Sequence, residues 1–167
     1  TSKGRKEGTI KSNFMVAISC SKGVVLCEPY TGPITGEKMS KIVNDTFPAA
    51  FASSKNPIGK RLLVDGCPRQ NCKVALKAIQ NVGGLFFSIS ARSPDLNPIE
   101  NFFHLVSNAL KKEAIAKNIT HETLTQFTER VVKTMKEFPI GIIDNIIHSM
   151  HKRIDMILKS GGNRIRY

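Results

Sequence analysis

The stretch SPDLNPIEN, residues 93–101, predicts a rigid loop that runs directly into a helix. Asn97 suits the helix N-cap, and Pro98 suits the first helical position, where a missing N–H costs no hydrogen bond. Glu100 then falls in the first turn of the helix. The apolar residues recur at helical spacing and form a core stripe: Ile99, Phe102, Phe103, Val106 and Leu110.

Glu100 lies roughly 120° around the helix from the middle of that stripe, since successive residues are about 100° apart. The same flank carries His104, Ser107 and Lys111. Glu100 can therefore face a cleft while its apolar neighbours anchor the helix.

A second acid, Asp65, lies upstream. It directly follows the apolar run at residues 61–64, and 34 residues separate it from Glu100. After a turn at residues 66–68, apolar residues recur at helical spacing from Val74 to Val82, and residues 85–89 read as another buried strand. This order predicts a βαβ unit with parallel strands and a right-handed crossover. Asp65 then lies at the carboxyl end of its strand, where open α/β sheets bind ligands. The two carboxylates suggest a divalent-metal site.

Other elements follow from the same patterns. Residues 13–20 and 24–28 predict a β-hairpin, and residues 35–47 a helix. Two amphipathic helices near the end of the chain look like cover for a sheet face. One carries Leu124, Phe127, Val131 and Met135, and the other Ile143, Ile147, Met150, Ile154 and Leu158.

Charge is the most informative bulk property. With 25 Lys and Arg against 13 Asp and Glu, the formal charge is +12 and the pI about 9.8, which favours a polyanionic partner, nucleic acid first. No apolar run is long enough for a membrane span or a signal peptide, so no membrane association is expected. The 167 residues fit a basic lead-in at residues 1–12 and one domain at residues 13–167. The four cysteines match neither a zinc pattern nor a disulfide framework, which favours reduced thiols.

The residues resemble a known family, the mariner-type cut-and-paste DNA transposases. Three features carry the resemblance: the SPDLNPIEN stretch, its spacing from Asp65, and the ending SMHKRI at residues 149–154 with GGNRIRY at residues 161–167. Similarity extends from about residue 13 to the end of the chain. The resemblance implies a ribonuclease-H-like mixed sheet flanked by helices, with an Asp-Asp-Glu catalytic triad.

The resemblance also implies metal-dependent DNA strand cleavage and strand transfer. Asp65 would bridge two Mg²⁺ ions, for which Mn²⁺ can substitute, and Glu100 would bind one of them. Implied partners are double-stranded DNA, namely the transposon's terminal inverted repeats and a target site, and a second copy of the chain, since the family pairs two transposon ends. The implied location is the nucleus.

Two departures from the family's pattern matter. Asp65 is followed by GCPRQN instead of the Asn and later His that many members carry, so the support around the carboxylate is expected to differ. The first aspartate of the triad ends the first strand in the family, yet no Asp precedes Asp45, which falls in a predicted helix. We therefore expect a sheet without its first strand, in a C-terminal portion or decayed copy of a catalytic domain. The usual helix-turn-helix region is missing too, and this chain alone is expected to be inactive.

Simpler roles compete with the catalytic ones. Asp65 could cap a turn, and Glu100 could simply interact favourably with the dipole of its own helix. Asp95 is expected to form hydrogen bonds with the backbone of its turn. The pair His148 and His151 is expected to lie at the surface or in packing contacts. We expect Cys67 and Cys72 to be small buried residues instead of zinc ligands. Candidate phosphate contacts are Lys111, Lys112, Lys117, Arg153, Lys159, Arg164 and Arg166.

Three functions remain open at this point. The first is the catalytic region of a transposase. The second is a non-catalytic DNA-binding or regulatory protein derived from one, and the third is a protein–protein interaction domain that keeps only the fold. An upstream apolar strand ending in Asp, preceded by a basic helix-turn-helix region, would favour the first.

Overall fold

The computed structural model describes residues 12–65, 72–89 and 93–162. It begins with a hairpin of β1 (Ser12–Ser19) and β2 (Gly23–Thr31), followed by α1 (Gly36–Ser53). The unit β3 (Arg61–Val64), α2 (Lys73–Asn81) and β4 (Leu85–Ser88) comes next. A single 3-10 turn at Pro94–Leu96 leads to α3 (Pro98–Ala116), α4 (Leu124–Lys136) and α5 (Ile140–Lys159).

The hairpin lies between two hydrophobic cores because its side chains alternate in direction. On β1, Met15 and Ala17 pack against the first core, while Phe14, Val16 and Ile18 pack against the second. The two strands are antiparallel, with a register shift between Ala17 and Ile18. The hairpin prediction is therefore confirmed.

Helices supply the two cores from opposite faces of the hairpin. The first core is built mainly by α1 and α2, and its buried residues are Leu26, Met39, Ile42, Val43, Phe47, Ala50, Phe51, Ala75, Ala78 and Ile79. The second is built by α3, α4 and α5 and includes Phe102, Val106, Val131, Met135, Ile143 and Ile146. The predicted role of the last two helices as cover for a sheet face is confirmed.

The β3-α2-β4 unit has the predicted parallel pairing, with Val64 opposite Ser88. The expectation that residues 85–89 form a buried strand is wrong for one face. Leu85 is 54% exposed and Phe87 49%, and Leu63 on β3 is 50% exposed. Alternation explains this, because Leu62 and Phe86 point into the first core and their neighbours point away from it.

The four strands form two separate sheets. The antiparallel pair β1–β2 and the parallel pair β3–β4 share no ladder hydrogen bonds, and no strand of the described residues lies between β1 and β3. The parallel and antiparallel pairs, flanked by helices, agree with the predicted ribonuclease-H-like mixed α/β fold. The described part of the chain thus contains the sheet as two halves, with helices on both faces of the hairpin.

Two helices differ from their predicted extent or face. α1 continues through Pro48 to Ser53 instead of ending at Phe47, because Ala50 and Phe51 carry its buried stripe onward. Burial of an aromatic side chain is worth about 1.5–3 kcal/mol, comparable with the cost of about 3 kcal/mol for proline inside a helix. On α5 the predicted stripe fails at its end, since Ile154 is 43% and Leu158 73% exposed. Within the described ranges, no helix has the length and apolar character needed to cross a bilayer.

Candidate functional site

Asp65 directly follows β3, and its side chain is exposed. The ladder between β3 and β4 extends to this end of the sheet, where the Ile89 N–H donates to the Val64 carbonyl at 2.8 Å. Asp65 therefore emerges where both parallel strands end, as the sequence predicted. The turn after it, including Cys67, lies outside the described residues.

Glu100 occupies the first turn of α3, in the predicted position. The Asn97 side chain caps the helix by accepting a hydrogen bond from the Ile99 N–H at 3.4 Å, and Pro98 follows at the first helical position. Phe102 and Val106 are 0% and 2% exposed and anchor the helix. Glu100 is exposed on the opposite flank, which carries three further exposed side chains: His104, Ser107 and Lys111. The helical periodicity thus identified both faces correctly.

A buried arginine from α5 contacts the turn that precedes α3. Arg153 is 3% exposed, and its Nη1 donates to the Asp95 backbone carbonyl at 3.4 Å. Asp95 is itself 8% exposed, and its turn is closed by the Leu96 N–H donating to the Ser93 carbonyl at 3.1 Å. The contact ties the last described helix to the segment that presents Glu100.

Arg153 was expected among the phosphate contacts, and its burial makes that assignment wrong. The sequence contained a signal that could have placed it. Ile143, Ile146 and Arg153 are spaced by three and seven residues, which puts the arginine on the buried face of α5. Residue type alone favours a surface position, because charged side chains are seldom fully buried without a partner.

The other candidate residues have separate environments. His148 Nε2 lies 3.5 Å from Cys20 Sγ, and His151 is exposed. Cys72 is a half-buried free thiol at the start of α2. Among the described residues, no group of three or more His, Cys, Asp or Glu side chains could hold a metal ion.

The remaining basic candidates divide into two groups. Lys111, Lys112 and Lys159 are exposed, as is Lys117, which bonds to Glu113 Oε1 at 2.6 Å. Arg164 and Arg166 lie outside the described residues. The exposed lysines of α3, Lys111 and Lys112, are therefore available to a polyanion, whereas Lys117, the residue after α3, also has a carboxylate partner.

Asp65 and Glu100 are both attached to the β3–β4 unit at the end where its strands terminate. Asp65 follows β3 itself, and the chain that leaves β4 enters the Pro94–Leu96 turn and then α3. Both side chains offer hard carboxylate oxygens to solvent, which are the donors that Mg²⁺ and Mn²⁺ prefer. The donor set fits part of a divalent-metal site.

Comparison with known proteins finds similarity to DNA transposases. No protein-family model matches the chain. Over 77 residues it is 34% identical to the Tc3 transposase of Caenorhabditis elegans, a match that covers 46% of this chain and 22% of that protein. The fold matches the Mos1 mariner paired-end complex with Mn at a TM-score of 0.74 and 18% identity, over 99% of this chain. The chain is therefore similar in part of its sequence to a Tc3 transposase, and it has the fold of the Mos1 mariner transposase catalytic domain.

Two further solved structures share the fold. The Mos1 mariner transposase catalytic domain matches with a TM-score of 0.68 and 14% identity, over 94% of this chain and 83% of that one. The Mos1 catalytic domain with Raltegravir and Mg gives the same TM-score at 16% identity. This chain spans about half (48%) of the Mos1 chain in the paired-end complex. The matches therefore concern the catalytic-domain fold of a mariner/Tc1 transposase.

Proposed function

We propose that this chain is the catalytic region of a mariner-type transposase, acting in metal-dependent DNA strand cleavage and strand transfer, with Asp65 and Glu100 as two of its three metal-binding carboxylates. Its strongest support is the exposed position of both acids, Asp65 directly after β3 and Glu100 in the first turn of α3, together with their spacing in the sequence. The resemblance to transposases whose solved structures contain Mn or Mg points the same way.

The chain's own residues have distinct tasks in this proposal. Asp65, at the end of a strand, and Glu100, in the first turn of α3, would hold the metal ions. When bound, the ions would supply Lewis acidity for activating a water or 3′-hydroxyl and for stabilising a leaving 3′-oxygen. The core residues of α3 keep the Glu100 carboxylate on the exposed flank, since Phe102 and Val106 fix the rotation of the helix.

A third carboxylate is needed to complete the proposed site, and Asp45 does not fit that role. It lies in the middle of α1 and pairs with Lys41 Nζ at 2.7 Å on an exposed helix face. No Asp precedes it in the sequence. We therefore expect the isolated chain to lack cleavage activity and an extended protein, with an aspartate-bearing first strand, to have it.

The decisive assay is cleavage of terminal-repeat DNA by the extended protein in Mg²⁺ or Mn²⁺. Asp65→Ala and Glu100→Ala should each abolish cleavage while leaving DNA binding in place. Asp155→Ala, which removes an exposed acid from α5, is the matched control and should cleave normally. Unchanged cleavage by either site variant would refute the site assignment.

The proposed partners are duplex DNA and a second copy of the chain, in the nucleus, where chromosomal DNA lies. A formal charge of +12 and the exposed lysines of α3 support phosphate contact. Affinity for duplex DNA should fall with salt, with a log–log slope of about −0.9 for each phosphate neutralised. A flat affinity between low and physiological salt would count against phosphate recognition.

A non-catalytic, DNA-binding derivative of a transposase is the second candidate. The formal charge of +12 and the exposed lysines of α3 support it, because DNA binding needs no metal site. The two proposals separate in the same assay. If the extended protein binds terminal-repeat DNA but never cuts it in either metal, the binding function stands and the catalytic one fails.

A further inference from the structure

The backbone carbonyl of Asp95 lies in a turn that α3 does not continue. Asn97, between the turn and the helix, has an extended backbone with φ −113° and ψ 99°, which separates the two. A helix would direct two N–H groups at this carbonyl, from three and four residues further on. Pro98 has no N–H to donate, and the Ile99 N–H donates to the Asn97 side chain instead. The start of α3 therefore supplies no donor to the Asp95 carbonyl.

Arg153 supplies a donor to that carbonyl from α5. It is 3% exposed, and its Nη1 lies 3.4 Å from the Asp95 oxygen although 58 positions separate the two residues. α5 is itself fixed in the second core, where Ile143 and Ile146 are 0% and 8% exposed. A guanidinium suits this contact, because its planar fork holds N–H donors in fixed directions. The turn is thus attached to a helix whose own position the core determines.

This turn and Glu100 belong to one short, hydrogen-bonded segment. The Leu96 N–H donates to the Ser93 carbonyl at 3.1 Å, and the Glu100 N–H donates to the Asn97 carbonyl at 3.3 Å. Only four residues lie between Asp95 and Glu100. A shift of the turn therefore changes where α3 begins and how the Glu100 carboxylate is presented.

We propose that Arg153 is a positioning residue for Glu100, and that its hydrogen bond to the Asp95 carbonyl holds the entry to α3 so that the Glu100 carboxylate meets the metal ions. The inference rests on the proposed function, because it takes Glu100 as a metal ligand. An aliphatic side chain could fill the same volume without the desolvation cost of a buried charge. The arginine is therefore explained by what its N–H groups hold, and its burial suits it to act through the turn.

The first experiment measures amide hydrogen exchange by NMR on the full 167-residue chain without metal. Arg153→Met keeps the length of the side chain but removes its N–H groups, and Lys152→Met changes the exposed neighbour as the matched control. Arg153→Met should speed exchange of the Leu96 N–H about tenfold, the effect of losing one hydrogen bond from a charged donor. The Val131 N–H in the second core should be affected far less. Equal acceleration at both amides, or none at Leu96, would overturn the proposal.

A titration of the same proteins with Mn²⁺ tests the link to Glu100. Arg153→Met should raise the Mn²⁺ concentration that broadens the Glu100 amide signal about tenfold, the lower end of the range for residues that orient metal ligands. Lys152→Met should leave that concentration unchanged. If the wild-type chain showed no broadening at Glu100, the proposed function would fail and the positioning role with it. If the wild-type chain and Arg153→Met needed the same Mn²⁺ concentration, only the positioning role would fail.

Arg153→Lys is the conservative variant, and it keeps the test decisive even if Arg153→Met does not fold. Lysine retains a charged N–H donor, so Leu96 exchange and the Mn²⁺ requirement at Glu100 should stay within about threefold of the wild-type values. Such a rescue supports the hydrogen bond as the source of the effect. A folded lysine variant that lost about tenfold or more in both measurements would show that the donor does not position Glu100, and would overturn the proposal.

Discussion

Replacing Phe102 by alanine should remove a large part of the stability of this protein. The side chain is fully buried, at 0% exposure, in the core that joins α3, α4 and α5 to the hairpin. Its ring meets Phe138 edge-on at 5.3 Å and lies 6.0 Å from Phe103. Truncation of a buried Phe costs about 3–5 kcal/mol, and an aromatic pair contributes about 0.5–1.5 kcal/mol beyond its area. We expect a loss near the upper end of that range, about 4–5 kcal/mol.

Phe87→Ala is the matched control, because it deletes the same atoms from a half-exposed site. Phe87 is 49% exposed on the outer face of β4, where the Arg61 guanidinium lies 5.9 Å from its ring. Since half of the side chain is already in water, the expected loss is about 1 kcal/mol. Urea unfolding followed by circular dichroism gives both free energies, provided that the slopes with denaturant agree. Equal losses in the two variants would refute the assignment of Phe102 as the anchor of α3.

Three further predictions follow from single contacts. Asn97→Ala should cost about 0.5–2 kcal/mol by removing the cap on Ile99 N–H, and Asn97→Asp should restore most of that stability, as measured by urea unfolding. Hydrogen bonds from Arg130 lower the pKa of Glu122 from its usual value of 4.5. The pair therefore stabilises the folded chain above pH 4.5, and this stabilisation is lost as the pH falls through the lowered pKa. Arg130→Met should therefore depress the melting temperature more at pH 7 than at pH 3, and equal shifts would contradict this. Burial raises the pKa of the Cys27 thiol, so iodoacetamide at pH 8 should alkylate it more slowly in the folded than in the unfolded chain, as read by mass spectrometry.

Local signals in the sequence predicted the elements that present the two acids. Asn97 and Pro98 mark the start of α3 through capping chemistry that depends only on neighbouring residues. The helical repeat then placed Glu100 on the exposed flank. Asp65 was predictable because a short apolar run before a turn, followed by a helix and another run, leaves few topologies other than a parallel βαβ unit.

Features set by distant contacts were harder to predict. The buried face of α5 contains Arg153 instead of Ile154, since two overlapping stripes one residue apart are both compatible with helical spacing. The exposed face of β4 was missed because a four-residue apolar run does not reveal whether one or both faces are covered. Whether Asp65 and Glu100 share an ion also depends on tertiary geometry, so the sequence could only suggest it.

Binding of Mn²⁺ to the isotopically labelled chain tests the central claim, that Asp65 and Glu100 hold the same ions. Mn²⁺ broadens the NMR signals of nearby amides, so low concentrations should broaden those of both Asp65 and Glu100. Asp65→Asn or Glu100→Gln should each reduce broadening at both positions, whereas Glu129→Gln, an exposed acid on α4, should leave it intact. If Glu100→Gln left the broadening at Asp65 unchanged, the two carboxylates would not form one metal site.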